Sequence, residues 1–290
     1  MGFVSFPRVL IHCWGGFGSQ LYAWSLLLQL QEKNPKRKFI LVLHNSGVTR
    51  RDSEIFNLVD KSEIIEVNDF DKNFESNREI SKRINARFYV STFFRLAANF
   101  LGITLAPDRK SKIPRILPWT KSIRGHYSHM EVPSKVINVF NANINFSKGE
   151  LEPSTPVIGL HYRLGDLMTL SNKSPLPESR LVKSVLQISN LTHMEEIDLY
   201  SDSPFQARRL LQPLEAKLNL KVRDIPIWDT VKFLSRARVF IGTHSKISLW
   251  VCLIRSECNL SGSIFVPEEM KRDIFRNLID PEKRANIDFY

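Results

Sequence analysis

The segment His161-Tyr162-Arg163-Leu164-Gly165-Asp166 follows the apolar run Val157-Ile158-Gly159-Leu160, so a histidine, an arginine and an aspartate gather at the carboxyl end of an expected buried strand. Open α/β sheets hold their ligands at that end. An arginine placed there offers a planar fork of donors that fits two phosphate oxygens, and the glycine lets backbone approach a bulky anion. The combination reads as a grip for a diphosphate. The plainer alternative is that Arg163 and Asp166 only pair with each other at a surface.

Three further segments bring the same kinds of residue together. Trp14-Gly15-Gly16-Phe17-Gly18-Ser19-Gln20 is a glycine turn that brings backbone amides to a helix start, with Ser19 and Gln20 as polar contacts. It matches neither the dinucleotide fingerprint, whose third glycine would fall at Leu21, nor a Walker loop, since no lysine follows. A purely structural turn is its alternative. Leu199-Tyr200-Ser201-Asp202-Ser203-Pro204 ends a second strand and opens a helix at Pro204. There Asp202 is either the helix cap or a carboxylate that accepts from guanine N1 and its exocyclic amine. Gly242-Thr243-His244-Ser245-Lys246-Ile247-Ser248 repeats the pattern, with hydroxyls and amides at a helix start that favours phosphate.

The elements that must position these residues alternate. Arg8 to Trp14 reads as a strand, Leu21, Trp24 and Leu28 recur at helical spacing before Asn34-Pro35, and Phe39 to Leu43 is a second strand. Strand, glycine turn, helix and strand make a parallel unit with a right-handed crossover. After residue 150 the alternation is regular. Strands are expected over 157–162, 197–200, 220–223, 239–242 and 263–266, and helices over 178–188, 205–218, 228–237, 245–254 and 268–278. Between them Ser147-Lys148-Gly149 and Pro153-Ser154-Thr155-Pro156 mark a linker, which divides the chain into 1–150 and 151–290.

The stretch Phe88 to Leu105 is apolar and aromatic, with Arg95 inside it and Arg109, Lys110, Lys112 and Arg115 after it. It is either a buried helix followed by a surface loop or an interfacial helix with a basic flank. Residues 1–150 carry 22 Lys and Arg against 13 Asp and Glu, so +9 of the net +11 charge lies there. That asymmetry calls for an anionic partner: nucleic acid, an acidic membrane leaflet or a phosphorylated acceptor.

A chain of 290 residues with 43% hydrophobic residues fills two cores and is no disordered chain. Cys13, Cys252 and Cys258 have no metal-ligand spacing and read as reduced thiols of a cytoplasmic protein. No run reaches the roughly 20 apolar residues that span a bilayer, and no export leader is expected. Asp69-Phe70-Asp71, the one pair with the spacing to bridge a metal to a diphosphate, sits in a charged stretch and reads as a solvated loop.

Taken together, these segments resemble the inverting α-1,2-fucosyltransferase family, and more broadly the α-1,6- and protein O-fucosyltransferases with a His-x-Arg motif. Gly15-Gly16-Phe17-Gly18-Ser19-Gln20 is similar to the family's Gly-Gly-Leu-Gly-Asn-Gln, and His161 to Asp166 to its His-x-Arg-Arg-x-Asp. Tyr200-Ser201-Asp202 is similar to its Ser-Asp-Asp strand end. Thr243-His244-Ser245-Lys246-Ile247-Ser248-Leu249-Trp250 is similar to its Asn-Ser-x-Phe-Ser-Trp-Trp, and Gly125-His126-Tyr127-Ser128 to its Gly-Tyr-x-Gln-Ser. Leu164, Ser19 and Ser203 depart from the pattern, which bears on the donor sugar more than on the fold.

The resemblance implies a GT-B-like α/β architecture, two Rossmann-type domains facing across a cleft, with GDP-fucose on the C-terminal domain and the acceptor approached from the N-terminal one. The donor-binding residues would be Gly16, Gly18, Gln20, Arg163, Asp202, Thr243, Ser245 and Ser248, the acceptor-side residues His126 and Tyr127. Arg163, Asp166 and His161 would serve catalysis, with Arg163 neutralising the leaving diphosphate so that no metal and no cofactor is required. The candidate bases are Asp166, His126 and His12; His161 is expected to orient Arg163 or touch the sugar. GDP-fucose and an oligosaccharide acceptor are the implied partners, and no nucleic acid is expected; in a bacterial enzyme the basic first half would dock peripherally to the anionic inner face of the membrane, where oligosaccharides carried on a lipid diphosphate are the acceptors. A transferase using another nucleotide sugar and a basic nucleic-acid or membrane-surface binder are the alternatives.

Overall fold

The structure, a computed structural model, describes residues 8–44, 53–56, 58–67, 93–94, 96–106, 113–125, 127–144, 157–168, 174–258, 260, 262–278, 280 and 282–290. The chain divides into two compact units, Met1–Val132 and Pro133–Tyr290. Each is built on its own wholly parallel sheet, so the expected class, α/β with two Rossmann-type domains, holds.

In the first unit β1 (Val9–Trp14) leads into α1 (Phe17–Lys33) and returns as β2 (Phe39–His44). The sheet then adds β3 (Ile64–Val67), β4 (Thr104–Leu105) and β5 (Ser122–Arg124) in the order β3-β2-β1-β5-β4. Val9 to Trp14 pair in register with Phe39 to His44. The strands are nearly continuous apolar runs because both faces of a parallel sheet are covered. The helix stops at Asn34, whose side-chain amide donates to the Leu30 carbonyl at 3.1 Å.

The second unit begins with α2 (Ser134–Ile144), and here the boundary expected at 150/151 shifts. Phe140 stacks on Trp228 and meets Trp250 at a tilt of 42°, with ring centroids 5.7 Å from each, and Ser134 Oγ donates to Glu257 at 2.9 Å. Aromatic burial thus ties α2 to the unit that follows it, not to the one before. The linker segment itself, residues 145–156, lies outside the described residues.

The alternation after 157 is as expected in kind: β6 (Ile158–His161), α3 (Glu178–Thr192), β7 (Glu196–Tyr200), then β8 (Asn219–Arg223), α6 (Ile227–Arg236), β9 (Val239–Gly242), α7 (Lys246–Glu257) and β10 (Ser263–Val266). The helix expected over 205–218 is two short ones, α4 (Pro204–Leu210) and α5 (Gln212–Glu215), because Pro213 cannot continue the preceding turn. The last helix is similarly shortened to α8 (Lys271–Asn277) after a 3-10 turn, and a further strand, β11 (Ile287–Phe289), closes the sheet.

The strand order of this unit is β11-β10-β9-β6-β7-β8. Numbered from β6, that is the doubly wound order 3-2-1-4-5-6 read from the other edge. Its topological switch lies between β6 and β9, where successive crossovers leave in opposite directions and open a crevice at the strand ends. The core beneath it joins Ile158, Leu160, Leu181, Val185, Ile197, Leu199 and Ile241, all fully buried.

Candidate functional site

Three strands of the second unit deliver their ends to the switch point. Beyond His161 the chain alternates its backbone bonds between neighbours. Thr243 N–H donates to the His161 carbonyl at 3.1 Å, Tyr162 N–H to the Tyr200 carbonyl at 2.9 Å, and Arg163 N–H to Thr243 Oγ1 at 2.9 Å. Thr243 is buried and uses both its backbone and its hydroxyl to hold the arginine segment against β9. Tyr162 is buried on the other side, its hydroxyl donating to the Leu176 carbonyl at 3.0 Å. Arg163 is thereby fixed at the base while its side chain keeps 25% exposure.

The guanidinium of Arg163 is paired with Asp202 through Nη1 and Oδ2. The second carboxylate oxygen accepts the Leu164 N–H at 3.0 Å. Asp202 is therefore not the helix cap: the N-cap of α4 is Ser203, which makes no side-chain cap bond, and Asp202 turns back toward β6. Its two oxygens are engaged by Leu164 and Arg163, an arrangement different from a carboxylate held open for a guanine edge.

His161 is buried at the centre of a hydroxyl chain. Ser245, the N-cap of α7, accepts the Ser248 N–H at 2.9 Å and donates its hydroxyl to Ser248 Oγ at 3.0 Å. Ser248 Oγ lies 2.9 Å from His161 Nδ1, and Ser245 Oγ 3.3 Å. Nδ1 of the imidazole is thus engaged by the hydroxyl chain at the start of α7. Burial, with the Arg163 charge second, pushes the His161 pKa down to about 3, so the ring is neutral. His161 thus fixes the start of α7 against β6; the expectation that it orients Arg163 is met only indirectly, through Thr243 and the shared strand end.

Two further residues complete the scaffold: Gly242, which the sequence marks only as a strand end, and Tyr290, which no motif singles out. Gly242 permits the close approach, since a Cβ there would stand 2.9 Å from Ser248 Cβ and Oγ. Tyr290 reaches across from the end of β11, and its hydroxyl donates to the Gly242 carbonyl at 2.9 Å. No local pattern marks a lone aromatic at a strand end as a brace for another strand. Deeper in the unit, Arg255 is buried and its Nη1 donates to the carbonyls of Ser235 at 3.0 Å and Ala237 at 2.5 Å, closing the end of α6.

The structure therefore assembles His161, Arg163, Asp202, Thr243, Ser245 and Ser248 in one place. The side chain of Asp166, and all of His126, Asp69 and Asp71, lie outside the described residues. Gly16, Gly18, Gln20 and Tyr127 belong to the first unit and have structural roles there. Gly16 is the N-cap of α1, and the positive φ of the turn, +106°, falls on Gly15. Gly18 is buried inside the helix, and Gln20, also buried, accepts the Glu54 N–H through Oε1 at 2.9 Å. Tyr127, expected to face an acceptor, is instead fully buried, with its hydroxyl on the carbonyls of His12 at 2.6 Å and Ile123 at 3.1 Å.

The carboxyl edge of the first sheet holds a cluster that the sequence disclosed only in part. His12 Nδ1 lies 2.9 Å from His44 Nε2, and the Trp14 and His44 rings stack with centroids 4.4 Å apart. Parallel register sets Trp14 opposite His44, so the cluster follows from strand pairing and not from spacing along the chain. The His12 pKa is pushed down to about 4, first by burial, then by Arg124 and His44. His12 is a neutral ring at ordinary pH, as a base must be.

No protein-family model and no curated protein sequence matches the chain. Solved structures resemble it in outline. POFUT1 in complex with GDP-fucose aligns at 10% identity over 89% of this chain and 96% of its own, with a TM-score of 0.44. The E. coli heptosyltransferase WaaC with ADP aligns at 12% identity over 93% and 90%, TM-score 0.39. A glycosyl transferase family 9 protein from Veillonella parvula aligns at 11% identity over 91% and 81%, TM-score 0.44.

Proposed function

We propose that the protein is a glycosyltransferase that moves L-fucose from GDP-β-L-fucose to a galactoside hydroxyl with inversion, an α-1,2-fucosyltransferase of bacterial surface polysaccharide (O-antigen or capsule) synthesis. The observation that carries the transferase reading is the convergence of β6, β7 and β9 at the switch point, with the part-exposed guanidinium of Arg163 paired to Asp202 there. A diphosphate suits that place: a guanidinium is a planar fork of donors that matches phosphate oxygens, and the helix start adds its positive end. The choice of fucose rests on the motif resemblance.

In the proposed reaction the acceptor oxygen forms its bond to the anomeric carbon from the face opposite the diphosphate, the bond from that carbon to the diphosphate oxygen breaks, and GDP departs with the electron pair. Arg163 stabilises the charge that builds on the departing oxygens. His161 holds the start of α7 in place and takes no proton, being neutral with Nδ1 already engaged. The acceptor proton passes to a base, for which His12 and the carboxylate of Asp166 are the candidates. Charge neutralisation by Arg163 and backbone amides makes the reaction independent of metal in this proposal.

A second reading, the same reaction class with another nucleotide sugar, is favoured by one observation: Leu164, where the family pattern has a second arginine, is fully buried in the core. Calorimetric titration of GDP, UDP, CDP and a short oligonucleotide, with EDTA present, separates these readings. GDP-selective binding that is lost in Arg163→Ala is the expected result. Selectivity for another nucleotide would move the assignment to the second reading, and oligonucleotide binding without nucleotide selectivity would sink both. Turnover of a panel of donors then fixes the sugar.

A further inference from the structure

At the amino edge of the first sheet the usual placement of polar and apolar groups is inverted. Residues 93–94 and 96–100 are helical. At about 100° per residue, Phe93, Phe94, Leu96, Phe100 and Leu101 fall within an arc of about 160°. That face is turned outward: each of these residues is more than half exposed, Phe100 92%. Asn99, from the opposite side of the helix, is half-buried with its Oδ1 inside. Over the described residues of 93–101 the helix is therefore not the buried one that the sequence offers as one alternative; residues 88–92 of that stretch lie outside the described residues.

The exposed face is held rigidly. Ile103 N–H donates to the Ala98 carbonyl at 2.9 Å and Gly102 N–H to that of Asn99 at 3.1 Å, with Gly102 at φ +69°. This is a Schellman ending. Trp119 donates its indole N–H to the Leu101 carbonyl at 2.8 Å while its ring is 55% exposed. An apolar cluster that merely failed to pack would have no such anchor.

Cations surround the cluster because of how the parallel strands begin. Lys121 N–H donates to the Ile103 carbonyl, Leu10 N–H to that of Lys121, and Val9 N–H to that of Lys38. The Arg37 guanidinium sits on the Pro118 carbonyl, one residue from Trp119. Arg8, Lys38, Arg115 and Lys121 are exposed along this edge, whereas the acidic Asp60 and Glu63 stand at its far margin, before β3. Over residues 93–121 the sequence has six Lys and Arg and one acidic residue.

We infer that this edge is a docking surface for an anionic phospholipid bilayer. Phenylalanine and leucine side chains enter the boundary between headgroups and acyl chains, the Trp119 ring lies at headgroup depth, and Arg8, Lys38, Arg115 and Lys121 meet the lipid phosphates. Charge complementarity selects this occupant over a second copy of the chain, which would bring its own positive edge to the contact. Among the described residues no helix is long and apolar enough to cross a membrane, so the contact is superficial. It leaves the carboxyl edge of the same sheet, with His12, Trp14 and His44, directed away from the lipid. The inference is independent of the reaction proposed above.

The test is co-sedimentation of the full chain with phosphatidylcholine vesicles with and without phosphatidylglycerol. Binding to the anionic vesicles is expected, falling about tenfold in Phe100→Asp and about fivefold in Lys121→Glu, with melting temperatures unchanged because both residues are exposed. It should also weaken steeply between about 0.1 M and 1 M salt. Brominated lipid should quench the wild type more than Trp119→Phe. Absence of binding at low salt, equal binding to phosphatidylcholine alone, or a wild-type dimer that Phe100→Asp dissociates would each overturn the inference.

Discussion

The guanidinium of Arg163 and the carboxylate of Asp202 form an ion pair between the ends of two adjacent strands, β6 and β7, and the same carboxylate takes the Leu164 N–H. The pair is part-exposed, 25% and 20% for the two side chains. It is thus neither a deep structural salt bridge nor a fully solvated one. A carboxylate so placed fixes the direction of the arginine through one nitrogen, Nη1.

Arg163→Ala should lower turnover roughly a hundred- to thousandfold, the cost of losing one preorganised donor to a developing charge. Arg163→Lys should do nearly as badly, since a lysine is a point charge without the fork. Steady-state kinetics with GDP-fucose check both, and a near-normal lysine variant would remove Arg163 from its role.

Because Asp202 acts through Arg163, the two substitutions should not add. Asp202→Asn and Arg163→Ala each weaken GDP binding, and the double variant should be no worse than Arg163→Ala alone, a coupling of about 1–3 kcal/mol. Additive losses accompanied by a reduced preference for GDP over UDP would instead identify Asp202 as a reader of the base.

Acid should destabilise the second unit through His161. Its folded pKa of about 3 lies below the ordinary 6.5, so below pH 6.5 the unfolded chain gains a proton that the folded one refuses. The stabilisation is complete above pH 6.5 and is lost toward pH 3, at about 1.4 kcal/mol per pH unit. His161→Asn, whose Oδ1 can take the place of Nδ1, should flatten that part of the slope in urea melts at pH 7, 6 and 5. His12, in the first unit, contributes in the same direction and should remain.

Gly242→Ala should separate the start of α7 from β9. The new Cβ meets Ser248 at 2.9 Å, and overpacking of that kind costs about 1–3 kcal/mol. The expected signature is a lower melting temperature together with weaker GDP binding, since the displaced residues carry Ser245 and Ser248.

Arg255→Ala should affect stability alone, lowering it by about 2–4 kcal/mol through unpaired carbonyls at the end of α6. GDP affinity of the folded protein should stay unchanged. Thermal melts paired with calorimetry distinguish the two variants.

The second unit was legible because its strands are short apolar runs ended by glycine, serine or proline: β9 and β10 begin and end where the pattern places them. The first was not beyond β2, since β4 and β5 have two and three residues and no period to recognise. At the site, the polar strand ends of β6, β7 and β9 were visible, but their partners were not. That Asp202 faces Arg163 and not its own helix depends on β6 and β7 being neighbours, a relation between strands. Nor does chain spacing show that Gln20 accepts the Glu54 N–H or that the Tyr127 hydroxyl reaches the His12 carbonyl, since both bonds join segments far apart in sequence.

Arg163 meets Asp202 across 39 positions of chain and Thr243 across 80. No fragment shorter than that span holds the cluster, and loop closure must be completed before any of its bonds form. Ligand occupancy is then a reporter of topology: saturation at a hundred times the dissociation constant should add about 2.7 kcal/mol to stability. A nucleotide-induced thermal shift would register that β6, β7 and β9 have reached their places, with no turnover required.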